Sequence, residues 1–105
     1  MNKKIIVYGL TKERTEEKMS VLLKEYRESG LVEFEVTGFM SYGFKLRDGT
    51  TVISVTATDP AKAGRWHYAY IDMDLPSEIV QHMILPCGNL PLEDGESENS
   101  RWAYF

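Results

Sequence analysis

The sequence predicts a single α/β domain: a small mixed sheet of about four or five strands, one long helix over 12–29 and a short helix over 77–85. Three observations carry this expectation. Ile5-Ile6-Val7-Tyr8 is a continuous apolar run, as in a strand buried on both faces. Met19, Leu22, Leu23 and Tyr26 then recur at i, i+3, i+4 and i+7, which gives one apolar helix face. Short β-prone runs separated by turn residues follow. A ferredoxin-like α+β sandwich is the alternative, because Val32, Phe34 and Val36 alternate with Glu33 and Glu35 as in a half-buried strand.

Each element has its own signals. Gly9 ends the first strand, and Thr11 is an N-cap for the long helix. Glu13, Glu16 and Glu17 suit the positive end of its dipole, and Gly30 is a natural C′ residue. Residues 31–37 read as a strand and residues 38–43 as an irregular link. Phe44-Lys45-Leu46 and Thr51-Val52-Ile53-Ser54-Val55 flank Asp48-Gly49, a strong hairpin signal. Asp59-Pro60 turns the chain, and Ala61 to Arg65 forms a polar link. His67 to Asp72 is the next strand. Pro76 opens the short helix, whose face is Ile79, Val80, Met83 and Ile84, and Pro86 with Gly88 stops it.

The domain is expected to span 1–90. Residues 91–105 read as an acidic tail: Glu93 to Ser100 is polar and solvated, then Trp102, Tyr104 and Phe105 cluster. Aromatics at this density dock either on the domain or on a partner, and they are candidate partner-binding residues.

Composition bounds the function. The chain has 105 residues, a net charge of −4 and a single cysteine, Cys87. The acidic balance weighs against nucleic acid, which is held by clustered Lys and Arg. One cysteine allows no intrachain disulfide and suits a reducing cytoplasm. The run after Lys3-Lys4 is too short for a signal peptide, and no segment reaches a membrane span.

Trp66-His67-Tyr68-Ala69-Tyr70-Ile71-Asp72-Met73-Asp74 is the most informative stretch. It delivers an acid to a strand's C-terminal end, where α/β proteins build their sites. Asp72 and Asp74 are candidate ligands for a divalent metal, with His82 a possible third; the competing role for Asp74 is to end the strand. Trp66, Tyr68 and Tyr70 alternate onto one face. That face is either a stacking platform for bases or, as the acidic balance favours, a surface packed under the long helix. Cys87 is more simply a small hydrophobe than a nucleophile. Lys12, Glu13, Arg14, Glu16, Glu17 and Lys18 read as a solvated helix face.

The order of these elements resembles the middle of the ATPase domain of phage large terminases, over about residues 3–86. Lys3-Lys4-Ile5-Ile6-Val7-Tyr8 with its helix, the Leu46-Arg47-Asp48-Gly49-Thr50-Thr51-Val52 hairpin, the Asp59 to Arg65 link and Tyr68-Ala69-Tyr70-Ile71-Asp72-Met73 are similar to that family's run up to its Walker B strand. The resemblance implies a role for Asp72 in holding Mg²⁺ and a phage or mobile-element setting. The chain departs from the family in having no Gly-x-x-x-x-Gly-Lys-Ser/Thr loop and in carrying Met73 where the family has its catalytic Glu. A non-enzymatic binding or regulatory protein is therefore expected, acting on a protein partner or on a second copy of itself. The alternative is a subunit of a nucleotide-dependent enzyme, in which Asp72 holds Mg²⁺ and another chain supplies the phosphate loop.

Overall fold

Ile6, Val7 and Tyr8 have no exposed surface, because their strand lies inside the sheet with a layer on each face. The computed structural model describes residues 3–37, 42–56 and 64–105. Its elements are β1 (Lys4–Gly9), α1 (Lys12–Glu28), β2 (Val32–Thr37), β3 (Tyr42–Leu46), β4 (Thr51–Thr56), β5 (Tyr68–Ile71), α2 (Ser77–Ile79) and β6 (Trp102–Tyr104). The six strands form one mixed sheet in the order β2-β3-β4-β1-β5-β6. β1 runs parallel to both β4 and β5, and β5 parallel to β6; β2-β3 and β3-β4 are antiparallel. A ferredoxin-like sheet is antiparallel throughout, so the parallel pairings overturn that alternative.

Register decides which side chain meets which layer. Val7 pairs with Ser54 and Tyr70 and faces α1, where Met19, Leu22, Leu23, Phe44, Leu46 and Val52 complete one core. Ile6 and Tyr8 face the other way, into a second core with Trp66, Ala69, Ile71, Leu75, Val80 and Ile84. That second layer comes from residues 77–87, where α2 continues as a π-helical turn (Val80–Ile84) and a 3-10 turn (Leu85–Cys87). The expected helix over 77–85 is present at this position, but its turns are not uniformly α-helical.

α1 begins and ends as its residues dictate. The Thr11 hydroxyl accepts from Arg14 N at 3.2 Å, a cap that contributes about 1 kcal/mol. Gly30 follows the helix at φ 70. Gly9 lets the helix close on the strand: a Cβ there would lie 1.8 Å from Thr15 Oγ1. The hairpin turns at Asp48-Gly49, with Gly49 at φ 93 and Asp48 Oδ1 accepting from Thr50 N at 2.8 Å.

Three expectations need correction. Residues 91–105 are not an appended tail, because their last residues form β6 and extend the sheet to six strands. Trp66 does not share a face with Tyr68 and Tyr70. The chain bends at His67, so Trp66 falls into the second core while Tyr70 packs toward α1. The bend is held by Lys4, whose N–H donates to His67 Nδ1 at 2.9 Å and whose carbonyl accepts from His67 N at 3.0 Å. The third concerns Arg14 and is taken up with the site. Of the expected links, residues 38–41 and 59–63 lie outside the described residues, as do residues 57–58 and the side chains of Phe34, Val36, Thr37 and Tyr42, whereas Tyr42 and Gly43, expected in the first link, begin β3.

Candidate functional site

β1 and β5 are neighbours whose following segments cover opposite faces of the sheet: α1 one face, residues 77–87 the other. The crevice outside the carboxyl ends of two such strands is where open α/β sheets place their ligands. Asp72 stands at this point with no exposed surface.

Its carboxylate is fully engaged. Oδ2 accepts from Leu10 N at 3.0 Å and from Arg14 Nε at 2.6 Å. Oδ1 accepts from Arg14 Nη2 at 2.7 Å and from Asp74 N at 3.0 Å. An ionised carboxylate offers about four lone-pair positions, and here each has a donor. The remaining guanidinium nitrogen, Arg14 Nη1, lies 2.7 Å from Asp74 Oδ2. Asp72 and Asp74 thus converge as the metal reading requires, and the cation between them is the side chain of Arg14.

This arrangement sets the local electrostatics. Burial opposes ionisation of Asp72, but the N–H groups of Leu10 and Asp74 and the bidentate Arg14 outweigh it and hold the carboxyl below its usual value. A divalent ion would have to displace the guanidinium to reach either oxygen. His82 does not join the pair: among the described residues no three His, Cys, Asp or Glu side chains are grouped to hold a metal.

Arg14 is the functional residue that the sequence pattern hid. Its sequence context places it among the solvated charges of α1, yet it ties the first turn of the helix to the end of β5. A signal was present. A cation in the first turn of a helix opposes the macrodipole, a cost that carboxylates at the end of β5 offset for Arg14, whereas Lys12 in the same turn stays in water.

The other expected residues lie at the sheet edge. Phe105 packs against the α1 core, and its backbone bonds both Ile71 O and Met73 N. Arg101, only 5% exposed, fastens the segment: Nη1 donates to Gly88 O at 2.6 Å and Nη2 to Leu90 O at 2.5 Å, with Glu98 beside the guanidinium. Trp102 and Tyr104 remain 38% and 53% exposed, edge to face with ring centroids 5.0 Å apart. The candidate partner-binding cluster is therefore divided: Phe105 docks on its own domain, and the other two rings remain partly open to solvent.

Arg101, Ala103 and Phe105 have the parity that bonds β5, since Arg101 O accepts from Ala69 N and Phe105 N donates to Ile71 O. The N–H and C=O of Trp102 and Tyr104 consequently point away from the sheet. Among the described residues nothing covers this edge.

Tyr68 and Tyr70 offer little of a stacking platform. Lys18 Nζ lies 4.7 Å from the Tyr70 centroid and Lys3 Nζ 5.6 Å from that of Tyr68. Cys87 Sγ points to Met83 O at 3.5 Å. A groove of about 340 Å³ runs beside the site, lined by Arg14, Glu17, Lys18, Val21 and Phe105. No helix among the described residues is long and apolar enough to cross a membrane. No protein-family model matches the chain, and no curated protein or solved structure does so either.

Proposed function

We propose that this chain is a non-enzymatic protein-binding or regulatory protein that offers the β6 edge to an extended segment of a partner. The observation that carries this reading is the pairing of unused outward N–H and C=O groups with two exposed aromatic rings on the same short strand. Strand addition to an open edge draws affinity from main-chain hydrogen bonds and specificity from alternate side chains. Exposed Trp and Tyr are the residue types that dominate protein interfaces. At the switch point, where an enzyme of this architecture would hold its ligand, Arg14 fills the carboxylate instead. The terminase-like order of motifs supports a phage or mobile-element setting within this reading.

Selection of random extended peptides on the purified chain tests it. Peptides should be enriched that lose binding to Tyr104→Pro, which removes one outward N–H and leaves the bonds to β5 in place. Peptides that bind the variant equally, or no enrichment at all, would overturn the proposal. Turnover of ATP that disappears in Asp72→Ala would instead restore the enzyme subunit with Mg²⁺ at Asp72.

A further inference from the structure

Two Asp-Gly pairs lie in turns of the chain, Asp48-Gly49 in the β3–β4 hairpin and Asp94-Gly95 ahead of β6. Asp-Gly cyclises readily, because glycine has no side chain to shield its amide nitrogen or restrict its backbone. That nitrogen attacks the side-chain carboxyl carbon, Cγ, of the aspartate. A C–N bond forms, the Cγ–OH bond breaks, and the amide proton leaves with the hydroxyl as water. Water then opens the five-membered imide at either carbonyl. Cleavage of the new Cγ–N bond restores aspartate; cleavage of the original C–N bond routes the main chain through Cβ as isoaspartate. The sequence is a loss and then a gain of water.

The fold treats the two pairs differently. At the hairpin both reacting groups are held. Asp48 Oδ1 accepts from Thr50 N at 2.8 Å, and Gly49 N donates to Leu46 O at 3.1 Å. Cyclisation there has to break both bonds. The Thr50 N–H, and then its hydroxyl, also keep the Asp48 carboxyl below its usual 3.8. The ionised carboxylate is the poorer electrophile, since it has no hydroxyl to lose.

Neither constraint acts at the second pair. Asp94 and Gly95 are exposed, and a Cβ on Gly95 would meet nothing within 4 Å. Among the described residues no hydrogen bond or ion pair engages the Asp94 carboxylate or Gly95 N. The turn is closed by its neighbours: Glu96 N donates to Glu93 O at 3.1 Å, and Glu93 N to Glu96 Oε1 at 2.9 Å. These bonds bracket the pair without touching its reacting atoms.

Independently of the strand-addition reading, we propose that Asp94 is the site of spontaneous isoaspartate formation in this chain, and that the hairpin protects Asp48. Isomerisation adds a methylene to the main chain between Glu93 and Glu96. It thereby lengthens a turn that Lys3 pins through Glu96 at 3.2 Å. The α-carboxyl it leaves as a side group is the one that isoaspartyl methyltransferases esterify.

The experiment incubates the full chain at neutral pH and physiological temperature, one sample folded and one unfolded in guanidinium chloride. Proteolytic peptides carrying residue 48 or residue 94 are quantified at intervals. Isoaspartate is identified by electron-transfer fragmentation and by methyl transfer from labelled S-adenosylmethionine by an isoaspartyl methyltransferase. In the folded sample it should accumulate at Asp94 at least about tenfold faster than at Asp48, as expected where two hydrogen bonds must break first. In the unfolded sample the two rates should converge. A ratio that persists on unfolding would place the difference in local sequence and overturn the role of the fold. Equal rates in the folded chain, or a faster rate at Asp48, would overturn the proposal. So would an Asp94 that stays intact over the time in which the unfolded chain isomerises.

Discussion

Arg14 holds Asp72 in a two-point grip, Nε on Oδ2 at 2.6 Å and Nη2 on Oδ1 at 2.7 Å. The contact joins residues 58 apart in sequence, so it fixes α1 against the far side of the β1–β5 pair. Asp72 is its buried member, and two backbone N–H groups depend on the same carboxylate. Asp72→Ala should therefore lower stability by about 3 kcal/mol, since the donors it strands are desolvated. Asp72→Asn should lose less, because one carbonyl oxygen remains. Urea unfolding of both variants checks the order, and equal stability of Asp72→Ala and wild type would show the grip to be energetically idle.

Stability should fall in two steps on acidification. His67 is held below its usual 6.5 by burial and then by the nearby charge of Arg101, while its Nδ1 accepts from Lys4 N. Asp72 is held below its usual 3.8. In both cases the folded state binds protons less readily than the unfolded one, so stability rises with pH across each window. The His67 contribution is complete above about pH 6.5 and is lost as pH drops through its lower folded value. The Asp72 contribution persists to lower pH and is lost below the ordinary carboxylate range. Melting temperature measured against pH should show the upper step in wild type and not in His67→Gln.

Gly88 and Gly30 make a matched pair of substitutions. A Cβ on Gly88 would sit 2.4 Å from the Trp66 ring, whereas one on Gly30, at φ 70, would touch nothing within 4 Å. Gly88→Ala should displace the indole, cost about 1–3 kcal/mol by overpacking and alter the near-UV circular dichroism. Gly30→Ala should cost about 1–2 kcal/mol through its backbone alone, with the tertiary spectrum unchanged.

The terminal aromatics should separate by variant. Phe105→Ala removes a ring packed on the α1 core and should lower the melting temperature, by the equivalent of about 1–2 kcal/mol. Tyr104→Ala, at a residue 53% exposed, should stay within about 1 kcal/mol of wild type, and Trp102→Ala, at one 38% exposed, should cost more than Tyr104→Ala. Removal of residues 101–105 should destabilise more than any of these, because Arg101 and the β6 ladder go with it. An unchanged melting temperature in the truncated chain would mean that β6 is not part of the folded sheet.

Much of this architecture was legible because strong local patterns agreed with the fold. The apolar run of β1, the stripe and caps of α1 and the Asp48-Gly49 turn each state their structure within a few residues. Asp72 was legible as an acid at the C-terminal end of a strand for the same reason, though its burial was not. Arg14 was not, because its partners lie on another strand and its neighbours are charges that do face water. β6 was hidden by length and context. Three residues after an acidic run look like a tail, and the anchor of that strand, Arg101, is a residue type almost never buried without partners. Trp66 was misassigned because strict alternation fails where the chain bends at His67.

The placement of β1 between β4 and β5 has a kinetic consequence. Its register partners are separated from it by roughly half the chain: Val7 meets Ser54 on one side and Tyr70 on the other. Such distant pairings carry a high loop-closure cost before they return any contact energy, which slows folding toward milliseconds or longer. The β3–β4 hairpin, closed by its own tight turn, has no such delay and can form first. Val7→Ala should then slow folding, the behaviour of a contact formed in the rate-limiting step, whereas a substitution confined to β6, which docks afterwards, should act mainly on unfolding. Until β1 slots in, β4 presents a bare margin, and the nascent sheet is most open to self-association during that interval.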